Sequence, residues 1–237
     1  MARVLISVRN VEEAKIALSA GVDLIDLKDP EKAAMGMIDL SLVSQIQKAL
    51  PSDLNLSMAC GELCDMPSLP DFFPKGISFY KFGLSHCKSS NRWVENLLSL
   101  KEQVRLLNNS AFIVPVMYGD YLNANSLNPF MLLELLCDHS FHAIMIDTWL
   151  KDGSSVLDWV TFDELLKIQN KCKAKNIEFA LAGSLNLSST TRLFREGINP
   201  AWFGYRGAVC NGQSRNQAID FDLTSCLVAG VKRLSHL

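Results

Sequence analysis

The stretch DLIDLKDPEKAAMG, Asp23 to Gly36, opens with an apolar strand pattern, Leu24 to Leu27, which Asp26 interrupts and Lys28 closes. Residues two apart on a strand share a face, so Leu24, Asp26 and Lys28 point one way and Ile25 and Leu27 the other. A strand apolar on both faces is that of a parallel sheet covered by helices. Two opposite charges on one of those faces call for a special place in the sheet.

The pattern repeats outward from this strand. Arg3 to Val8 reads as a strand, Asn10 as a helix N-cap, and VEEAKIALSAG as a helix stopped by Gly21. Leu40 to Leu50 is a helix ended by Pro51. Further strands are predicted at Leu54 to Ala59, Phe79 to Gly83, Ala111 to Met117, Ala143 to Asp147, Glu178 to Ala182 and Trp202 to Gly204. Helices are predicted at Trp93 to Leu107, Pro129 to Cys137, Phe162 to Lys175, Ser189 to Glu196 and Asp222 to Leu234. Only Gly61 to Gly76, rich in Pro and Gly, lacks a helical period where a helix is due. Parallel strands need crossover helices, and repeats of about 30 residues match a (β/α)8 barrel, expected as one domain over 1–237. A doubly wound open sheet is the main competitor.

Composition narrows the function. The 237 residues are 49% hydrophobic and 20% charged with a formal net charge of -2, so no basic footprint marks a nucleic acid or an anionic membrane as partner. The N-terminus enters a strand pattern at Met1 to Ile6, and no run approaches about 18 apolar residues, so a secretory signal and a membrane span are not expected and the chain reads as cytoplasmic. Seven scattered cysteines, only Cys60 and Cys64 close together, read as reduced packing residues. His86, His139, His142 and His236 are dispersed, so no metal and no cofactor is expected. Barrels of this size often associate; the apolar residues of Phe130 to Leu136 fit either a core or a contact between copies.

In a barrel of this kind, catalytic groups stand at the C-terminal ends of the strands, where side chains enter the mouth. Asp26 and Lys28 would then line that mouth, although a salt bridge that only caps the strand explains the pair as well. The fourth strand adds Lys81 in FYKFGL, and the sixth adds Asp147, with Lys151 just beyond, in AIMIDTWLKDG. Lysines crowded together and partly desolvated have lowered pKa values, which frees an amine to attack a carbonyl as a Schiff base. A neighbouring carboxylate can then move protons. The residues by themselves thus indicate aldolase-type carbonyl condensation. Gly183 and Ser184 in ALAGSL, and Arg206 and Gly207 in GYRGAVCNGQSRN, end the seventh and eighth strands, the usual phosphate cradle of this fold. The expected substrate is a small phosphorylated carbonyl compound.

The segments DLKDPEKAAMG, YKFGL, IDTWLKDG, ALAGSL and RGAVCNGQSRN, with VEEAKIALSAG before them, resemble the (5-formylfuran-3-yl)methyl phosphate synthase family, also called 4-(hydroxymethyl)-2-furancarboxaldehyde-phosphate synthase, along essentially the whole chain. The resemblance implies a class I aldolase-like lyase that joins two glyceraldehyde 3-phosphate molecules into the furan precursor of methanofuran-type cofactors. It implies Lys28 as the Schiff-base lysine with Asp26 beside it, and Lys81, Asp147 and Lys151 as the other active-site groups. By the same implication, an enamine on Lys28 attacks the second aldehyde and the adduct loses phosphate and water, with Asp147 and Lys151 as proton carriers. CGELCDMPSLPDFFPKG and VMYGDY depart from the family pattern and are expected to alter the pocket wall. Two alternatives stay open: another class I aldolase acting on triose phosphates, and a non-catalytic barrel that binds a phosphorylated metabolite.

Overall fold

In the computed structural model, which describes residues 2–70 and 73–235, the strand of Leu24 and Asp26 is paired in parallel on both sides. Asp26 stands opposite Ser7 of one neighbour and Ser57 of the other. Continued around the molecule, this pairing closes eight parallel strands into a barrel in sequence order. The strands are β1 (Arg3–Val8), β2 (Leu24–Leu27), β3 (Leu56–Glu62), β4 (Phe79–Gly83), β5 (Phe112–Tyr118), β6 (Ala143–Asp147), β7 (Glu178–Leu181) and β8 (Trp202–Tyr205). The helices among the described residues are α1 (Val11–Ser19), α2 (Leu40–Ala49), α3 (Trp93–Leu107), α4 (Pro129–Leu136), α5 (Phe162–Ala174), α6 (Leu187–Arg195) and α7 (Phe221–Leu234). Closure leaves no sheet edge and rules out the open doubly wound alternative.

Alternation along each strand divides the core in two. Leu5, Leu24, Val114, Met145 and Ala180 fill the barrel interior, whereas Ile6, Ile25, Leu27, Ile144 and Ile146 pack outward against the helices. Caps fix where helices begin: the Asn10 side chain accepts from Glu13 N, and Thr161 and Glu164 form a reciprocal pair at the start of α5. Gly21, at φ +74, supplies the left-handed turn that stops the first helix. On α4, Leu132, Leu133 and Leu136 are buried and Phe130, Met131 and Leu135 are exposed, so the segment provides core on one face only.

After β3 the structure agrees with the sequence reading in lacking a helix and departs from it in the extent of the strand. No α-helix follows it among the described residues, only the single 3₁₀ turn Leu63–Asp65. Pro67, Pro70 and Pro74 remove the backbone donors that a helix there would need. The strand itself begins at Leu56 rather than Leu54 and runs on to Glu62. A register shift between Ala59 and Glu62, with Gly61 at φ +93 donating its N–H to Met35 O, carries it past the expected end. Met1 and His236, part of the sequence expectations, lie outside the described residues, as do Asp71 and Phe72 within the proline-rich segment. Among the described residues no helix is long and apolar enough to cross a membrane.

Candidate active site

The charged residues of the even strands meet at the C-terminal mouth of the barrel, in an order that spacing did not reveal. Asp26 does not pair with Lys28. It lies fully buried in the layer below, where its carboxylate accepts hydrogen bonds from Lys81 Nζ at 2.7 Å, Ser7 Oγ at 2.8 Å and Ser57 Oγ at 2.5 Å. Lys28 Nζ stands 3.5 Å from Asp147 Oδ2, and Lys151 Nζ stands 2.9 Å from Oδ1 of the same carboxylate. Thr148 N donates to that Oδ1 at 2.7 Å. Two acid–base groups result: a closed Lys81–Asp26 pair beneath, and an open Lys28–Asp147–Lys151 triad above.

Burial decides the electrostatics. Lys28 is 8% exposed, and desolvation lowers its pKa to about 7; the Asp147 carboxylate opposes the shift, while the Lys151 and Lys81 ammonium groups add to it. Burial alone would raise the Asp147 carboxyl, yet the Lys151 and Lys28 charges and the hydrogen bonds hold it well below the usual carboxylate range. Asp26 follows the same logic: burial raises its pKa, but Lys81, by charge and hydrogen bond, Ser57 and Lys28 outweigh it and leave the pKa lowered. The triad can therefore present a neutral amine beside a committed carboxylate at neutral pH.

One cavity of about 480 Å³ joins this cluster to the loops after β7 and β8. Lys28, Lys81, Asp147 and Lys151 line one part, and Gly183, Ser184, Arg206 and Gly207 another; Asp26 lies beneath it and does not line it. Gly183, at φ +103, could not carry a side chain, because a Cβ would sit 2.9 Å from Val156 Cβ and 3.1 Å from Thr148 Cγ2.

Arg206 differs from its expected part as a free phosphate ligand. Its guanidinium donates to both Glu13 carboxylate oxygens, at 2.5 and 3.0 Å, to Ser7 O at 3.0 Å, and to Arg215 O and Gln217 O, both at 2.9 Å. These contacts use its five donors and neutralise its charge, so the side chain serves as a brace between α1 and the loop after β8. The sequence reading missed Glu13 because it sits on the first helix and meets Arg206 only when the barrel closes.

The segments CGELCDMPSLPDFFPKG and VMYGDY supply buried groups of their own. Asp120, from VMYGDY, is 2% exposed and accepts from Trp149 N at 2.7 Å and Leu150 N at 2.8 Å, which holds the turn that folds Lys151 back onto Asp147. The Tyr118 hydroxyl donates to Glu62 Oε1, and Ser85 N donates to Oε2 at 3.2 Å. Burial, reinforced by the Glu62 charge, keeps the Tyr118 phenol protonated. A Cβ on Gly83 would collide with both Glu62 Oε2 and the Tyr118 hydroxyl. Gly83→Ala is expected to lower stability by about 1–3 kcal/mol in thermal unfolding; an unchanged midpoint would show that this pair does not occupy the space beside β4.

Among the described residues no group of three or more His, Cys, Asp or Glu side chains is gathered as a metal site.

Comparison with known proteins places these features in context. The family model described as 4-HFC-P synthase matches residues 4–227. The chain is 29% identical over 232 residues to the (5-formylfuran-3-yl)methyl phosphate synthase of Methanosarcina barkeri, covering 96% of this chain and 98% of that one. It is 27% identical over 225 residues to the enzyme of the same name from Methanocaldococcus jannaschii, covering 92% and 95%. Among solved structures, phosphoribosyl anthranilate isomerase from Thermotoga maritima aligns with a TM-score of 0.67 at 14% identity, over 98% of this chain and 100% of that one. That likeness carries the fold alone.

Proposed function

Since the chain belongs to the 4-HFC-P synthase family, we propose that it joins two glyceraldehyde 3-phosphate molecules into (5-formylfuran-3-yl)methyl phosphate through a Schiff base on Lys28, a step toward a methanofuran-type cofactor. The observation that carries this reading is a buried amine with a pKa of about 7, facing the cavity, 3.5 Å from a carboxylate.

In this reading the neutral Lys28 amine attacks the carbonyl of one triose phosphate, water leaves, and loss of a carbon-bound proton gives an enamine. The enamine carbon attacks the aldehyde of the second molecule. Ring closure by a hydroxyl of the second unit on the imine carbon displaces the Lys28 amine, and loss of phosphate and one further water completes the furan. Asp147 has one oxygen toward Lys28 and the other engaged by Lys151 and Thr148 N, so it can pass protons between the two lysines without swinging away. The Lys81–Asp26 pair anchors the floor of the site.

The chain with glyceraldehyde 3-phosphate is expected to release inorganic phosphate while a furan-aldehyde absorbance grows. An aldol product without the furan chromophore would assign it to simple aldol chemistry instead. The rate should also respond to pH. As pH rises through about 7 the Lys28 amine loses its proton and the rate climbs; below that value the ammonium predominates and the rate falls. A rate that is flat from about pH 5 to 8 would count against a catalytic amine of this kind.

A further inference from the structure

The other cations lining the cavity each have a carboxylate within 4.0 Å: Lys28 and Lys151 share Asp147, Lys81 has Asp26, and Arg206 has Glu13. Arg215 lines the same cavity, its Nε is buried, and among the described residues that Nε has no hydrogen-bond partner. The surrounding loop is polar and exposed, yet its backbone is held firmly. Arg206 grips the carbonyl oxygens of Arg215 and Gln217, and Arg9 Nη1 takes the intervening Asn216 O at 2.8 Å. The three successive carbonyls of Arg215, Asn216 and Gln217 are thus held by Arg206 and Arg9.

We propose that Arg215 is the residue that binds the substrate's phosphate monoester, presented to the cavity by the grip of Arg206 on its loop; this rests on the phosphorylated-substrate reading above. A buried Nε–H without an acceptor is costly, and a dianion entering the cavity to accept from it removes that cost. Its planar fork matches two phosphate oxygens at once, which an ammonium cannot do. Burial pulls the Arg215 pKa down while Asp147 opposes the shift, and the group stays charged at neutral pH. Gly183 and Gly207 on the same cavity wall leave the backbone open to close approach by the anion. The division of labour corrects the expectation from sequence: Arg206 positions the loop, and Arg215 touches the ligand.

The test uses sn-glycerol 3-phosphate, which carries the ester but no carbonyl and so binds without reacting with Lys28. In calorimetric titration, Arg215→Met is expected to raise its Kd by about 10- to 100-fold, with Arg215→Lys falling between the two. In turnover, KM should rise in the same order more than kcat falls. Should Arg215→Met unfold early, Arg215→Lys still decides, because it keeps charge and stem but loses the two-pronged contact. Equal Kd values in the native chain and Arg215→Lys, or no measurable binding by the native chain, would overturn the assignment. Neither outcome depends on whether Lys28 forms a Schiff base.

Discussion

Borohydride added during turnover of glyceraldehyde 3-phosphate is expected to fix a single triose adduct on Lys28, and Lys28→Ala to remove both the adduct and the activity. Loss of the nucleophile in a covalent mechanism costs roughly 10⁴-fold or more in rate, because the remaining groups can orient the substrate but cannot form the bond. Lys28→Arg sharpens the result. Its guanidinium cannot lose its proton near neutral pH, so it bears the burial cost that Lys28 relieves by neutralising; the variant should unfold somewhat earlier than the parent and be inactive while folded. Asp147 retains Lys151 at 2.9 Å in either variant, which shields the carboxylate from isolation. Intact-mass and peptide analysis reads the adduct; an adduct on Lys81 or Lys151 in place of Lys28, or undiminished turnover by Lys28→Ala, would sink the proposed role.

The largest effect on stability is expected from Lys81→Met. The ammonium of Lys81 is the strongest partner of Asp26, which is 0% exposed, and the neighbouring interior is built of Leu5, Leu24, Val114 and Met145. Removing one member of a buried pair costs about 3–5 kcal/mol because the other charge is left uncompensated. The pH dependence should change sign as well. In the native chain the Asp26 pKa is lowered, so its contribution is present above the unfolded value near 4 and is lost as pH falls through the lowered one. Without Lys81, burial, the largest cause, is opposed only by the Ser57 hydrogen bond and the Lys28 charge and raises that pKa, so ionising Asp26 destabilises the fold as pH climbs above about 4. Urea unfolding at about pH 5 and about pH 8 should therefore show a wider gap between variant and parent at the higher value. Adding Asp26→Asn to the variant should narrow it. A gap equal at both pH values would mean that the carboxylate is not its source.

These two lysines show how far the sequence can be read. Lys28 and Lys81 were legible as inward-facing charges because Lys81 lies on a strand and Lys28 directly follows one, so period-two alternation fixes the side each faces. Asp147 and Lys151 were legible because one ends a strand and the other begins the next loop. The missing third crossover helix was visible as the Pro- and Gly-rich gap between Gly61 and Gly76, although the extension of β3 to Glu62 was not. That extension depends on the Gly61–Met35 contact, which joins the strand to the loop after β2.

By itself the sequence determined the strand-and-helix rhythm, with a barrel as its first reading, and the set of charges at the strand ends, because period-two alternation and helix caps are local properties of the chain; closure of the sheet was left to the structure. Only the tertiary structure decided who pairs with whom: Lys28 with Asp147, Lys81 with Asp26, and Arg206 with Glu13, leaving Arg215 to face the cavity. The physical reason is the stagger between strands and the seam where β8 meets β1, which set the depth of each side chain in the barrel and bring together groups nearly two hundred residues apart, |i−j| = 193 for Arg206 and Glu13.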